Sequence, residues 1–143
     1  MNSNELEDRQ ALRDLVYLYS RIPDDRDYAL VDRVFTADAT LVGPGFECRG
    51  SDEIRGAMRG IEQFPVTLHS VHNQFVAIDG DEATGETYCV ANHVLEKDGR
   101  PCKLDWGIRY QDRFRREPEG WRIARRELRV VWEQELPLKG DTQ

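Results

Sequence analysis

Apolar residues recur along this chain with two periods, and the change from one to the other divides it. Leu12, Leu15, Val16 and Tyr19 follow at steps of three and four, which places their side chains on one stripe of a helix. Asn4 with Glu7 three residues on reads as a capping pair at the start of that helix, and Pro23 predicts its end. Asp24 then stands just past the end, five residues after Tyr19 and close to the face the helix buries. Asp27 predicts the cap of a second helix, with Leu30, Val31, Val34 and Phe35 on its apolar side. Residues 40–48 read as a hairpin broken at Gly43-Pro44-Gly45, and Ser51 as the cap of a third helix carrying Ile54, Ala57, Met58 and Ile61. From Pro65 the period falls to two. Residues 66–78, 83–95, 102–114 and 121–132 are four long strand candidates joined by Asp79-Gly80-Asp81, Asp98-Gly99-Arg100 and Glu117-Pro118-Glu119-Gly120. Joins this short predict antiparallel pairing. Three helices followed by a meander of strands is the order of an α+β fold, with one strongly curved, mostly antiparallel sheet wrapping the N-terminal helices.

Alternation along each strand predicts which side chains share a face. Cys102, Leu104, Trp106, Ile108, Tyr110 and Phe114 form the buried set of the third long strand. On the second, His93 goes with Ala83, Cys89, Ala91 and Leu95, whereas Tyr88 goes with Glu82, Glu86, Asn92 and Glu96 on the wetter face. The first long strand is ambiguous: His69 goes with Val71, Asn73 and Phe75, and His72 with Leu68, Gln74, Val76 and Ile78. The last strand changes phase, from Trp121 and Ile123 on one parity to Leu128, Val130 and Trp132 on the other. That switch predicts a bulge near Arg125 and Arg126 that turns one arginine inward.

Composition narrows the classes. A chain of 143 residues with 39% hydrophobic residues is read as one domain, its core at about 4–134 and a flexible tail at 135–143. The net charge of -7 argues against a nucleic-acid surface, and the arginines from Arg113 to Arg129 alternate with apolar residues as on a solvated sheet face. No apolar run approaches the ~20 residues of a membrane span, and the N-terminus is polar, so a cytoplasmic protein is expected. Cys48, Cys89 and Cys102 are odd in number and lack a CxxC pattern, which points to free thiols.

The chemistry rests on three histidines and one carboxylate. A lone imidazole on an apolar strand face is more often a satisfied core residue than a catalyst. An aspartate that accepts Nδ1–H from an imidazole changes those odds, because it fixes the tautomer and leaves the other nitrogen as a general base. Asp24 and an inward-facing His69 supply those parts, and His93 is expected across the pocket as a proton donor or carbonyl polariser. Zinc held by two histidines and Asp24 is the weaker reading, since the usual short ligand spacings are missing, and neither metal nor cofactor is expected.

Several further motifs fall in order along the chain: Asp24-x-x-Asp27-Tyr28-x-x-Val31-x-x-Val34-Phe35-x-x-Asp38-Ala39, Gly50-x-x-x-Ile54-Arg55, His69-x-x-x-Asn73, Asp79-Gly80-Asp81-x-Ala83 and Gly120-Trp121-Arg122-Ile123-Ala124-x-Arg126. With them the chain resembles the SnoaL-like and scytalone dehydratase-like branch of the nuclear transport factor 2-like superfamily. The resemblance implies a cone-shaped, cystatin-like α+β barrel whose open end admits a small hydrophobic ligand, within a homodimer or homotrimer. It also implies roles. Asp24 corresponds to the aspartate that supports a histidine, His69 to that proton-abstracting histidine, His93 to the second histidine of scytalone dehydratase, and Arg126 to a pocket arginine of hexachlorocyclohexane dehydrochlorinase. Tyr19, Trp106, Phe75 and Tyr88 are the further substrate-binding candidates. The chain departs from the dehydratase at the tyrosines that hold a water against the substrate carbonyl, where Pro23 and Gly43-Pro44-Gly45 stand instead.

Three functions remain open at this level. The first is a cofactor-independent lyase or isomerase of the dehydratase type, acting by Asp–His general base catalysis on a small polyketide-, steroid- or aromatic-like substrate. The second is a non-catalytic binding or accessory module. The third is an isomerase or cyclase in which Asp24 is itself the base. The superfamily hosts all three, so fold alone does not choose.

Overall fold

The computed structural model describes residues 3–139. Helix α1 (Ser3–Asp24) is followed by a 3-10 turn (Tyr28–Leu30), the short α2 (Val31–Val34), strands β1 (Phe35–Gly43) and β2 (Phe46–Arg49), α3 (Gly50–Arg59) and a second 3-10 turn (Gly60–Gln63). Four long strands follow: β3 (Val66–Asp79), β4 (Glu82–Lys97), β5 (Arg100–Glu117) and β6 (Gly120–Pro137). With β1 and β2 they form one curved, unclosed sheet, six-stranded among the described residues, in the order β2-β1-β6-β5-β4-β3. Among the described residues only the β1–β6 pair is parallel. The α+β reading with a mostly antiparallel sheet therefore holds, and the sheet stays open, with β2 and β3 as its edges.

Leu12, Leu15, Val16, Tyr19 and Ile22 are all buried, so the helical stripe faces the sheet as its spacing requires. Helix α1 lies along edge strand β3 and covers it. Gln74 Nε2 donates to Leu12 O at 3.2 Å and Arg9 Nη1 to Val76 O at 3.3 Å, so chain numbers rise on the helix as they fall on the strand. The twelve residues from Leu12 to Asp24 advance about 18 Å along the helix. The five from Gln74 to His69 advance roughly 16 Å along the strand. That match of lengths delivers Asp24 to His69.

Bulges bend the sheet and settle its phases. Pairing with β4 slips between Val71 and Gln74, where two residues of β3 face one of β4. Thr67, His69 and Val71 therefore face inward before the bulge, and Gln74, Val76 and Ile78 after it, which resolves the ambiguity of the two parities. His72 lies in the bulge and is exposed. On β6 the extra residue is Ala124, since Arg113 pairs with Arg125 but Phe114 with Ile123; Arg126 turns fully inward as the phase switch predicts. A second bulge at Val131, not foreseen, puts Trp132 on the outer face over Gly107, where a Cβ would run into the indole.

The helix starts differ from expectation. Helix α1 already includes Ser3, so Asn4 is not its cap; Arg49 rather than Ser51 precedes α3, and Asp27 makes no side-chain capping bond. Phe35 opens β1 instead of closing a helix. Strand β6 runs on to Pro137, held by pairing with residues 102–104, so the expected loose tail at 135–143 is strand in its first part and its end lies outside the described residues. No helix among the described residues is long and apolar enough to cross a membrane.

Candidate active site

Three donors converge on Asp24, the last residue of α1. The Thr67 hydroxyl donates to Oδ1 at 2.9 Å, the His69 backbone N–H to Oδ2 at 2.8 Å, and His69 Nδ1 meets Oδ1 at 2.7 Å. Side-chain exposure is 16% for Asp24 and 6% for His69. Burial is the largest single influence on the Asp24 carboxyl and pushes its pKa up. The His69 ring and backbone bonds, the attraction of His69 and the Thr67 hydroxyl together outweigh it, and the net shift is downward. An ionised carboxylate is an acceptor only, so Nδ1 of His69 carries the hydrogen, and it is the tautomer with a free Nε2 lone pair that this contact selects.

Turn chemistry fixes the frame. Arg26 follows in the left-handed region at φ 55°, unusual for a side chain of that size, and its guanidinium donates to Phe64 O at 2.6 Å and Pro65 O at 3.4 Å. One turn thus grips the entry to β3 at two points, the backbone before it through Arg26 and His69 within it through Asp24.

His93 stands next to the pair on β4. Its ring centroid is 6.1 Å from that of His69, nearly perpendicular, and it is wedged between Phe64 at 4.9 Å and Trp106 at 4.7 Å. Nδ1 donates to Leu104 O at 3.0 Å. Burial, the leading cause, lowers the His93 pKa below its ordinary value of 6.5, the Leu104 contact notwithstanding. The ring is therefore neutral near pH 7, with an unprotonated Nε2. This corrects the role expected from sequence: in this state His93 accepts a hydrogen bond, for instance from a substrate hydroxyl, and is not the donor.

A cavity of about 350 Å³ opens on His93, walled by Tyr19, Leu41, Phe46, Cys48, Met58, Ile61, Phe64, Trp106 and Leu128. Its walls are largely apolar, with Gln63 among the lining residues, and carry no formal charge. His69 is not in the wall; it is held by Asp24, with its ring centroid 6.1 Å from that of His93, which is in the wall. Of the substrate-binding candidates, Tyr19 and Trp106 line this cavity. Phe75 and Tyr88 do not. They lie on the outer face of the sheet, Phe75 62% exposed and against Tyr88 at 6.5 Å, because the β3 bulge reverses Phe75 and the parity of Tyr88 was outward from the start.

A SnoaL-like domain signature matches residues 4–127. The chain belongs to the SnoaL-like family. An uncharacterized protein of Mycobacterium tuberculosis (strain ATCC 25618 / H37Rv) is 36% identical over 130 residues, covering 85% of this chain and 84% of its own. A candidate aromatic ring hydroxylase from Novosphingobium aromaticivorans superposes with a TM-score of 0.80 at 28% identity, covering 93% of this chain and 94% of that one. A candidate scytalone dehydratase from the same species gives 0.85 at 23%, covering 98% and 95%. The hexachlorocyclohexane dehydrochlorinase of Novosphingobium barchaimii gives 0.80 at 16%, covering 96% and 94%. The last two speak for the fold: this SnoaL-like protein shares its architecture with proteins of dehydratase and dehydrochlorinase type.

Arg126 in the SnoaL-like protein sits beneath the cavity and not in its wall. Fully buried, it pairs with Asp112 through Nε at 2.7 Å and Nη2 at 2.8 Å, and its guanidinium lies 4.3 Å from the Tyr19 ring and 3.8 Å from that of Tyr110. The inward turn was legible in the phase switch of β6. Its partner Asp112 was not, although it shares parity with Tyr110 and Phe114. Thr67 and Phe64 were also missed. Thr67 carried a signal, being two residues before His69 on the same face; Phe64 carried none, since only the fold of residues 60–65 brings it to His93. Among the described residues no group of three or more His, Cys, Asp or Glu side chains is placed to hold a metal ion.

Neutral, buried His93 makes stability depend on pH. Its folded pKa lies below 6.5 while the unfolded chain titrates near 6.5, so the unfolded state binds the extra proton as pH falls through that window. Stability is accordingly full above 6.5 and lost progressively below it, towards the depressed folded value. Thermal melts from pH 7.5 to 5 are expected to show this decline, and His93→Gln is expected to flatten it; an equally steep decline in the variant would assign it to other groups.

Proposed function

We propose that this protein is a cofactor-independent lyase or isomerase in which His69, oriented by Asp24, removes a proton beside an electron-withdrawing group of a small, neutral, largely apolar substrate. One observation carries the reading: the 2.7 Å contact of the Asp24 carboxylate with His69 Nδ1 inside the fold, which leaves Nε2 as a proton acceptor. The uncharged, aromatic-walled cavity beside it supports the substrate class. Since the His69 ring lies 6.1 Å from that of His93, the acidic carbon belongs at the His93 end of the cavity. The binding-module reading called for an Asp24 far from both histidines, and the distances run against it. Direct base catalysis by Asp24 is disfavoured because its oxygens already accept three hydrogen bonds.

The test needs no knowledge of the physiological substrate. β-Tetralone, an apolar bicyclic ketone with acidic α-hydrogens, is expected to exchange them for deuterium in D2O faster with the protein than with buffer, as followed by proton NMR. Exchange at the buffer rate across pH 6 to 8 would refute the base.

The outer face of the sheet supports a second copy of the chain as partner, in keeping with the homodimer or homotrimer expected from the family. Leu68, Phe75, Val131 and Trp132, large apolar side chains, are 59%, 62%, 61% and 43% exposed there. Light scattering at micromolar concentration is expected to give a multiple of 16.6 kDa, reduced to the monomer by Trp132→Asp. A monomeric wild type would rule the interface out.

A further inference from the structure

Proton abstraction beside a carbonyl needs a hydrogen-bond donor at the oxygen where charge develops, and neither imidazole is built as one. In both rings Nδ1–H is given to a protein acceptor, Asp24 in one and Leu104 in the other, so the only nitrogen left to face a substrate is Nε2, which acts as the acceptor in the proton abstraction proposed above. The remaining polar groups around the cavity can be taken in turn. Trp106 Nε1–H is committed to Glu133 at 2.9 Å. Gln63 is exposed. The Cys48 thiol is a weak donor whose pKa burial, followed by Glu53, pushes up.

Tyr19 is left. It is 4% exposed, lies in the cavity wall, and among the described residues no protein acceptor takes its hydroxyl hydrogen. Its ring is fixed edge-on by Phe35 at 5.9 Å and Tyr110 at 5.6 Å, with the Arg126 guanidinium 4.3 Å from its centroid. Arg126 Nη1, unlike Nε and Nη2, has no hydrogen-bond partner among the described residues. An uncommitted phenol hydroxyl and an uncommitted guanidinium N–H group therefore lie where the cavity meets the core.

Resting on the base assignment above, we propose that the Tyr19 hydroxyl is the donor of this site, hydrogen-bonding the substrate oxygen on which charge develops, and that Arg126 is the positioning residue that holds and polarises the phenol. The step balances without a co-reactant. The C–H pair becomes a C=C bond, the proton goes to His69 Nε2, the carbonyl π pair moves to oxygen, and the Tyr19 O–H holds that oxygen until the proton returns to carbon. Burial, the largest influence, pushes the Tyr19 pKa up to about 12 against the opposing pull of Arg126, so the phenol keeps its hydrogen at neutral pH. This donor stands in for the water-holding tyrosines whose places are taken here by Pro23 and the Gly43-Pro44-Gly45 turn.

A ketone tests the assignment because its oxygen can only accept. Wild-type protein is expected to bind β-tetralone about tenfold more tightly than tetralin, which lacks the oxygen, and to move the carbonyl stretching band of the bound ketone to lower frequency. Tyr19→Phe keeps the ring packing, and is expected to bind tetralin as before, to lose the preference and the band shift, and to lower kcat for exchange about a hundredfold with a smaller change in KM. His69→Gln is expected to stop exchange while keeping the band shift, so the two assignments fail separately. A band shift that survives Tyr19→Phe, or no shift in the wild type, overturns the role of Tyr19. A shift lost in Tyr19→Phe supports it whatever exchange shows. For Arg126, the double variant Arg126→Met, Asp112→Leu is expected to move the band part of the way back; an unmoved band removes Arg126 from the proposal.

Discussion

Asp24→Asn is expected to slow α-hydrogen exchange of β-tetralone by about a thousandfold while the protein stays folded. The reason is the sign of every contact at this carboxylate. Thr67 Oγ1, the His69 backbone N–H and His69 Nδ1 all act as donors towards its two oxygens. An asparagine keeps one oxygen and replaces the other by a donor, so an N–H must face an N–H, or the imidazole must change tautomer. The second outcome is the less unfavourable one, and it puts the hydrogen on Nε2, where the base should be empty. Leaving one buried donor unmatched costs about 1–3 kcal/mol, which a domain of this size tolerates at 25 °C. The wild-type carboxylate also contributes stability that is present above the ordinary value of 3.8 and lost as pH falls through its depressed pKa, a contribution the variant lacks. NMR exchange rates together with circular dichroism decide the matter: unchanged exchange in a folded variant would remove the pair from the chemistry.

Asp112→Asn is expected to have the largest effect on stability, about 3–5 kcal/mol, with a fall in Tm on the order of 10 °C. Burial, the largest influence on Arg126, works to lower its pKa, yet Asp112 keeps the net shift upward and the guanidinium charged. With side-chain exposures of 1% and 0% for Arg126 and Asp112, no water is at hand to take over when the carboxylate goes. Two aromatic rings then face a cation with no counter-charge. Arg126→Met with Asp112→Leu removes both charges and is expected to recover most of the loss, since apolar replacements of buried ion pairs are often close to neutral. Urea midpoints of the single and double variants check this; equal losses in both would mean that shape, not charge, is what the pair supplies. The single variant is also expected to disturb Tyr19, which rests on the same guanidinium.

How far the sequence reaches differs from strand to strand. On β4 and β5 alternation is unbroken, so the inward orientation of His93, Trp106 and Tyr110 could be read directly. On β3 two parities compete, because the bulge between Val71 and Gln74 makes each correct over half of the strand. Extending the parity of His69 past it put Phe75 inside. The β6 phase switch was visible, because Ile123 and Leu128 are both plainly apolar, whereas the second bulge at Val131 lies among residues that suit either face. Asp27 does stand at the cap position of the Tyr28–Leu30 turn, though its side chain makes no capping bond, whereas Ser51 was read two residues beyond Arg49, an offset usual at helix ends.

The sequence by itself determined the α+β order, the four long strands and the candidacy of Asp24 and His69, because these depend on periodicity and on residue type, both local quantities. Only the tertiary structure decided that α1 lies beside β3 at the height where Asp24 meets His69, that Asp112 neutralises Arg126, and that His93 gives its hydrogen to Leu104 and becomes an acceptor. Each of those facts joins residues distant in the chain, through the twist, bulges and strand order of one sheet, and no local pattern encodes such distances.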